Sequence, residues 1–225
     1  HVSFCNVDEK AVVKPEEVAQ ELAAWPEEKL LAATTGIDRG VAIAACSSNG
    51  DRFHFSDIQL QRMSKKDKAK RRWQRRMARR VKGSGGWRKA KRRVARCRQY
   101  AKRVRKDFAH KTSCKLVDAE NTATRLIVFE DLRIKNMTRR PKAKQDEAGR
   151  WLPNQARAKA GLNAKILAGS WGNVQIFAQY KALRAQKLVI SVPAHHTSQE
   201  CSRCGYIHLD NRLSQAEFVC QRCGF

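Results

Sequence analysis

TTGIDRGVAIAACSSNGDRFHF, residues 34–55, decides how the rest of the chain is read. Apolar residues around Ile37 mark one short strand, Val41 to Cys46 a second and Arg52 to Phe55 a third. Asn49-Gly50 between the last two is a strong hairpin signal, because the two-residue turn that suits twisted strands needs positive φ at its centre. Three consecutive antiparallel strands are therefore expected. Asp38, between Ile37 and Arg39-Gly40, sets a carboxylate in the first of them, where burial is costly unless something compensates it.

The strands feed into residues 64–120, which read as helical and very basic. Trp87, Ala90, Val94, Cys97, Ala101, Val104 and Phe108 step by three and four, a heptad seam. Trp73, Met77 and Val81 form a shorter stripe, and Gly83-Ser84-Gly85-Gly86 separates the two. The pattern predicts an antiparallel helical hairpin with a flexible tip. Between Lys65 and Lys106 lie 22 of the 47 Lys and Arg residues against one acid, Asp67. Charge so unmixed cannot pair along the helix and repels itself. The net charge of +26 carries the same message for the whole chain, and a polyanion is what relieves it. Nucleic acid is the expected partner, with Arg71, Arg72, Arg75, Arg76, Arg79, Arg80, Arg92, Arg93 and Arg96 as its contacts. A membrane is not, since no apolar run approaches the ~20 residues that span a bilayer, and no secretory signal is visible.

Arg125 to Glu130, RLIVFE, is a buried strand ending in Glu130-Asp131. Residues 138–160 read as a loop. Ile166, Trp171, Val174, Phe177, Tyr180 and Leu183 recur at helical spacing, one or two core helices with a break at Gly169 and Gly172. Lys187 to Val192 is a further buried strand, ended by Pro193. Residues 1–13 alternate like a strand or hairpin, and Pro15 to Lys29 like a helix and linker. The order, three strands, helices, strand, helices, strand, is the layout of an RNase H-like α/β domain over residues 34–196. Chain order then sets the Glu130 strand beside the Asp38 strand. Two adjacent carboxylates repel, and a divalent cation such as Mg²⁺, which prefers oxygen ligands, turns that repulsion into binding. Two such ions about 4 Å apart activate water against a phosphodiester. Asp131 is the alternative partner, although strand neighbours face opposite ways.

The last 25 residues, CSRCGYIHLDNRLSQAEFVCQRCGF, hold two C-x-x-C pairs, Cys201/Cys204 and Cys220/Cys223, with fifteen residues between them. Two matched pairs at this distance signal a tetrahedral Cys₄ zinc site rather than a redox dithiol. Four protein ligands leave no open position, so the site is structural, over a ribbon at residues 197–225. Gly205 and Gly224 follow the pairs and allow tight turns. His195, His196 and His208 are not needed as ligands. Cys5, Cys46, Cys97 and Cys114 are scattered, which suggests small core hydrophobes in a reducing, cytoplasmic setting.

GIDRGVA around Asp38, IVFEDLRIKNM around Glu130, AKAGLNAKILAGSWGNVQIFAQYKA and HTSQECSRCGYIHLDNRLSQAEFVCQRCGF together resemble the C-terminal part of the TnpB (OrfB) family of transposon-encoded proteins, kin to compact type V CRISPR nucleases. The resemblance spans nearly everything from Gly36 onward. It implies a RuvC-type nuclease domain, Mg²⁺-dependent and directed to target DNA by a guide RNA from the transposon end. Asp38 matches the first catalytic acid and Glu130 the second. Cys201, Cys204, Cys220 and Cys223 match the ligands of a zinc ribbon inserted in that domain, and residues 64–120 match its helical insertion. The family's third aspartate falls a few residues after the ribbon, beyond Phe225. Residues 1–33 correspond to the remnant of a longer N-terminal part, and a chain starting at His1 is expected to be a fragment or a trimmed form. Two other readings stay open: a nucleic-acid-binding transposase fragment that cuts nothing, and a type V CRISPR effector.

Overall fold

In the 34–55 stretch the strands are shorter than the apolar runs that announce them. The structure, a computed structural model, describes residues 12–118, 120–195, 199–214 and 217–225. Most of the strand expected over residues 1–13 lies outside the described residues, as do Cys5 and His196. Helices α1 (Pro15–Ala23) and α2 (Glu27–Ala32) come first, parted by Pro26. Strands β1 (Thr34–Asp38), β2 (Ala45–Ser47) and β3 (Arg52–Phe53) follow. The second strand begins at Ala45 rather than Val41, because the chain folds back after β1, the Gly40 N–H donating to the Ile43 carbonyl at 3.0 Å. The hairpin turn forms at Asn49-Gly50, but as a three-residue loop: the Ser47 N–H donates to the Asp51 carbonyl at 2.9 Å, and of the two residues Gly50 alone has positive φ, +93°.

Helices α3 (Asp57–Ala78) and α4 (Gly85–Val117) make the basic hairpin, followed by β4 (Leu126–Asp131) and the single-turn α5 (Ile134–Met137). Ser56 caps α3: its hydroxyl accepts from the Gln59 N–H at 3.3 Å while the Gln59 side chain accepts from the Ser56 N–H at 3.0 Å, a capping box. Ser84 caps α4 by accepting from the Trp87 N–H at 3.2 Å. Gly85 and Gly86 thus belong to α4 rather than to the tip. Val81 lies beyond α3 and is 80% exposed, so it does not extend the Trp73–Met77 stripe. On α4 the seam is buried at Ala90, Val94 and Phe108.

The expected loop over 138–160 contains a small antiparallel hairpin, β5 (Lys144–Gln145) with β6 (Trp151–Leu152). Its strands are too short to show alternation. The Asp146 carboxylate closes its turn by accepting from the Arg150 N–H at 2.8 Å and its Nε at 2.9 Å. Helices α6 (Ala156–Ala168) and α7 (Trp171–Arg184) are two, broken at Gly169-Ser170, and β7 (Leu188–Pro193) follows.

The sheet order is β3-β2-β1-β4-β7. β1 is antiparallel to β2 and parallel to β4, in register from Thr34↔Leu126 to Ile37↔Phe129. A parallel pair needs a long crossover, and the α3–α4 hairpin lies in it. β4 alternates between two cores. Ile127 and Phe129 join Ile37 of β1, Ala109 and Val117 of α4 and Val174 and Ala178 of α7. Leu126 and Val128 join Val18 and Leu22 of α1. The sheet is thus covered on both faces. Of the scattered cysteines, Cys46 and Cys97 are half-buried and Cys114 is exposed, so the core role expected of Cys114 does not hold. Its Sγ lies 3.1 Å from the Lys181 Nζ on the surface. The described residues divide into two compact units, His1–Phe129 with Arg133–Ile190, and Glu130–Leu132 with Ser191–Phe225.

One side chain between α7 and β7 is buried against its ordinary preference. Lys187 is 1% exposed. Its ammonium donates to the carbonyls of Val117 at 2.6 Å, Asp118 at 2.7 Å and Asn121 at 2.7 Å, closing the C-terminal end of α4. There a cation also meets the negative end of the helix dipole. Burial holds this ammonium below the usual lysine value of 10.5, although Asp118 pulls the other way. The folded chain therefore holds the proton less tightly than the unfolded one. Lys187→Met leaves buried carbonyls without a donor and is expected to cost about 2–4 kcal/mol in denaturant unfolding. In wild type, stability should rise as pH climbs from the lowered value toward 10.5; the Met variant should lack that rise.

Candidate metal centre and nucleic-acid interface

The chain's last turns fold around their cysteines. Each C-x-x-C pair bends into a knuckle closed by a glycine. The Gly205 N–H donates to the Cys201 carbonyl at 2.8 Å and the Gly224 N–H to the Cys220 carbonyl at 2.9 Å. Both glycines hold positive φ, 65° and 70°, a conformation a side chain resists. The four Sγ atoms lie within 4.8 Å of one another. Cys201 and Cys223 stand 3.6 Å apart, as do Cys204 and Cys220. Four sulfurs about 2.3 Å from a central tetrahedral ion would be separated by a little under 4 Å, so the donor set fits a metal ion. The thiols do not share charge evenly. The Tyr206 backbone favours the Cys204 thiolate, but burial and the three neighbouring sulfurs outweigh it and push Cys204 up to about 12. Burial opposes the Cys220 thiolate too, yet backbone donors at Cys223 and Arg222 and the thiols of Cys223 and Cys204 bring it down to about 6.

Asn211, which the sequence reading did not single out, links the two knuckles. It is fully buried. Its Nδ2 donates to the carbonyls of Gln199 at 2.7 Å and Tyr206 at 2.9 Å, and its Oδ1 accepts from the Gln221 N–H at 2.8 Å. The Val219 N–H donates to its carbonyl at 2.7 Å. Spacing cannot reveal such a residue, since Asn in a loop usually serves a turn. His208 lies on the surface, stacked on Tyr206, with its Nδ1 accepting from the Asp210 N–H at 3.2 Å. His195 is exposed.

The carboxylates are placed by their strands. The last registered pair of β1 and β4 is Ile37↔Phe129, and Asp38 and Glu130 are the next residues along each. Asp38 is exposed, so the burial cost that first drew notice to it does not arise. The buried charge is its neighbour. Arg39 is 5% exposed, its Nη1 donates to the Gln175 Oε1 of α7 at 2.8 Å, and its guanidinium lies 5.3 Å from the Phe129 ring centroid. Trp171, at the start of α7, donates from Nε1 to the Gly40 carbonyl at 3.2 Å. The first turns of α7 thus grip the backbone on the far side of Asp38. Glu130 is half-buried and Asp131 exposed.

On the hairpin, Arg71, Arg72, Arg75, Arg76, Arg79, Arg80, Arg92, Arg93 and Arg96 are all exposed. Asp67, the single acid between Lys65 and Lys106, is taken up by Lys70 and by Arg71 at 2.8 Å, and the hydrogen bond from Lys70 holds its carboxyl below the usual range. Arg71 is therefore partly neutralised. Arg76 and Arg93 flank the Trp73 ring, 4.9 and 5.9 Å from its centroid. Lys89, Arg92, Arg93 and Arg96 alone line a hollow of about 330 Å³ on α4. Such a surface supplies cations and an aromatic plate, the parts that hold phosphates and bases. No described helix is long and apolar enough to cross a membrane.

Comparison with known proteins agrees with these features. The OrfB_IS605 family, described as a probable transposase, matches residues 11–140, and a Cas12f1-like TNB domain matches residues 171–225. The chain is 36% identical over 190 residues to "Putative RNA-guided DNA endonuclease InsQ" of Escherichia coli K12, covering 84% of this chain and 44% of that protein. It is 29% identical to a Streptomyces pristinaespiralis protein with the same endonuclease designation, covering 85% of this chain and 41% of that one. The chain thus spans less than half the length of these curated relatives. Two cryo-EM structures share the fold. One is a Cas12f1–sgRNA–target DNA complex (TM-score 0.54, 18% identity, 85% of this chain and 36% of that one). The other is a CRISPR–Cas12f ternary complex (TM-score 0.51, 21% identity, 85% and 35%). By the family match over its first half and by its likeness to InsQ, the chain belongs to the OrfB (TnpB) family of transposon-encoded proteins.

Proposed function

We propose that this chain carries the nuclease core of a TnpB-like RNA-guided DNA endonuclease, with Asp38 and Glu130 as catalytic carboxylates. The observation that supports the proposal is the parallel register of β1 and β4 ending at Ile37↔Phe129, with Asp38 the next residue of one strand and Glu130 the next of the other. The sheet order, with β2 antiparallel and β4 parallel to β1, supports an RNase H-like (RuvC) fold. Exposed and half-buried oxygen donors at strand ends suit a hard cation such as Mg²⁺. Held there, Mg²⁺ supplies Lewis-acid activation of water toward a DNA phosphodiester. The residues of the chain itself position and hold. Arg39, locked by Gln175 and Phe129, fixes the end of β1 so that Asp38 presents its carboxylate from rigid backbone. The hairpin arginines grip phosphates of target DNA and guide RNA without reading sequence, which base pairing does. In the Cys₄ site we place a structural Zn²⁺, held by Cys201, Cys204, Cys220 and Cys223.

In the guide-loaded protein, Asp38→Ala or Glu130→Ala should lower Mg²⁺-dependent cleavage by about 10³-fold or more, on the order of 4 kcal/mol of transition-state stabilisation, with target binding little changed. Undiminished cutting by both variants would remove the carboxylate site. Chelation of zinc should abolish amide-exchange protection in residues 199–225 and leave β4 and α4 protected; a ribbon that stays protected would rule out a structural ion. Metal retention should improve as pH rises, because protons compete for Cys204. Arg92→Ala/Arg93→Ala/Arg96→Ala should flatten the plot of log K against log salt by about 2–3, and an unchanged slope would take nucleic acid off this face.

A further inference from the structure

Of the five tryptophans, four have a partner in the fold. Lys29 lies over the Trp25 ring, 3.7 Å from its centroid, and Lys91 over Trp87 at 5.1 Å. Trp73 stands between Arg76 and Arg93, and Trp171 is buried and bonded to the Gly40 carbonyl. Trp151, in β6, is 70% exposed. Among the described residues it joins no apolar cluster, and no ring or cation faces it. Its neighbour across the hairpin is the polar Gln145, and Leu152 beside it is exposed as well. Large apolar side chains left together in water mark a surface that a partner covers.

The β5–β6 hairpin keeps its shape without burying that indole. At the turn, the Asp146 carboxylate accepts from Arg150, and the Gly149 N–H donates to the Asp146 carbonyl at 3.0 Å, with Gly149 at φ +75°. At the base, Asn154 donates from Nδ2 to the Lys142 carbonyl at 3.0 Å. Asn163 of α6 donates from Nδ2 to the Thr138 carbonyl at 2.8 Å, which ties the incoming chain down. Polar bonds thus present Trp151 on a formed support, so little ordering remains to oppose binding.

Charge says which partner fits. Arg139, Arg140, Lys142 and Lys144 are exposed and enter no ion pair among the described residues. The acids between Arg139 and Leu152 are Asp146 and Glu147, and Asp146 is taken by Arg150 at 2.9 Å. A second copy of this chain would set the same cations against them and be repelled, whereas a polyanion is attracted. Within polyanions the indole chooses. A duplex hides its base faces against one another, while an unpaired strand offers both phosphates and a free base face. We infer that the β5–β6 hairpin is a docking surface for single-stranded DNA, with a base stacked on Trp151 and the flanking phosphates held by Arg140, Lys142 and Lys144. That the strand is DNA rests on the endonuclease reading proposed above, in which the guide RNA is paired and the displaced strand is not.

The test is fluorescence anisotropy of a labelled DNA strand of about ten nucleotides, titrated with the zinc-loaded chain without Mg²⁺ so that cutting does not enter. Trp151→Ala should weaken binding by about tenfold, the loss of one stacked base. It should leave the slope of log K against log salt unchanged, because a ring releases no counterions. Trp151→Phe, which keeps an aromatic face, should stay within about threefold of wild type. Arg140→Ala/Lys142→Ala/Lys144→Ala should instead flatten the slope by about 2. Wild-type affinity in Trp151→Ala would overturn the surface, and so would an equal loss with the same sequence as a duplex. An RNA strand of that sequence held more tightly than the DNA, with the same sensitivity to Trp151→Ala, would overturn the assignment to DNA. Irradiation of a strand carrying 5-iodouracil should attach it to Trp151 of the unaltered chain; attachment to Trp73 or Trp87 alone would overturn the surface even if Trp151→Ala failed to fold. Cutting that survives Asp38→Ala and Glu130→Ala would remove the carboxylate site and not this surface, whereas binding indifferent to Trp151 with cutting intact would remove this surface alone.

Discussion

A single buried ammonium sets the frame of the larger unit. Lys187 joins the end of a 33-residue helix to the start of the last strand of the sheet by three hydrogen bonds. A helix end leaves its last carbonyls without intrahelical partners, and in α4 that end lies inside the core, where Leu116 and Val117 pack with β4 and α7. The Val117 carbonyl is buried, and no glycine follows the helix. Asp118 takes the left-handed conformation instead, at φ 36°, and the lysine supplies the missing donors. The constraint is mutual. The ammonium tolerates burial because three acceptors surround it, and of these the Asp118 carbonyl also accepts from the Asn121 N–H at 3.0 Å. The base of the basic hairpin is thereby fixed to the sheet.

That fixed base matters because the rest of the hairpin has little to hold it. The α3 helix has no buried residue. It gains from a capping box, from packing along the α4 seam and from the ion pairs of Asp67, and it loses from repulsion among exposed arginines. Trp73 between Arg76 and Arg93 spreads some of that charge over an aromatic face. A surface with so much uncompensated charge, mounted on a rigid stem, is arranged for a polyanion that neutralises it on arrival.

Signals that repeat or stand close in sequence were legible from the chain alone: the paired C-x-x-C spacing, the Asn49-Gly50 turn, the α4 seam and the apolar run of β4. The two compact faces of β4 explain why RLIVFE reads as continuous apolar character rather than alternation. What was not legible depends on partners distant in sequence. Lys187 looks like an ordinary strand-edge lysine until the end of α4, some seventy residues earlier, reaches it. Arg39 is hidden behind Asp38, which draws notice as the charge in a strand, although it is Arg39 that is buried and Asp38 that is exposed. Val81 matched a helical stripe but fell past the helix end, because Ser84 and its cap restart the chain. The β5–β6 hairpin is two residues per strand, below any periodicity.

The ribbon carries the same logic to its limit. Among its described residues Leu209, Leu213 and Phe225 are exposed, while Cys201, Cys220 and Asn211 are buried. An apolar core is therefore not what holds it. What lies inside is Cys201, Cys220 and one amide whose hydrogen bonds reach both knuckles. Four thiols in that space cannot all ionise without a cation, as the opposed displacements of Cys204 and Cys220 register. A metal ion held there would remove that conflict and supply the cohesion a hydrophobic core gives elsewhere, which would make binding it and folding the ribbon one equilibrium. Asn211 does for the polypeptide what an ion would do for the sulfurs: it ties the two turns to one another by hydrogen bonds.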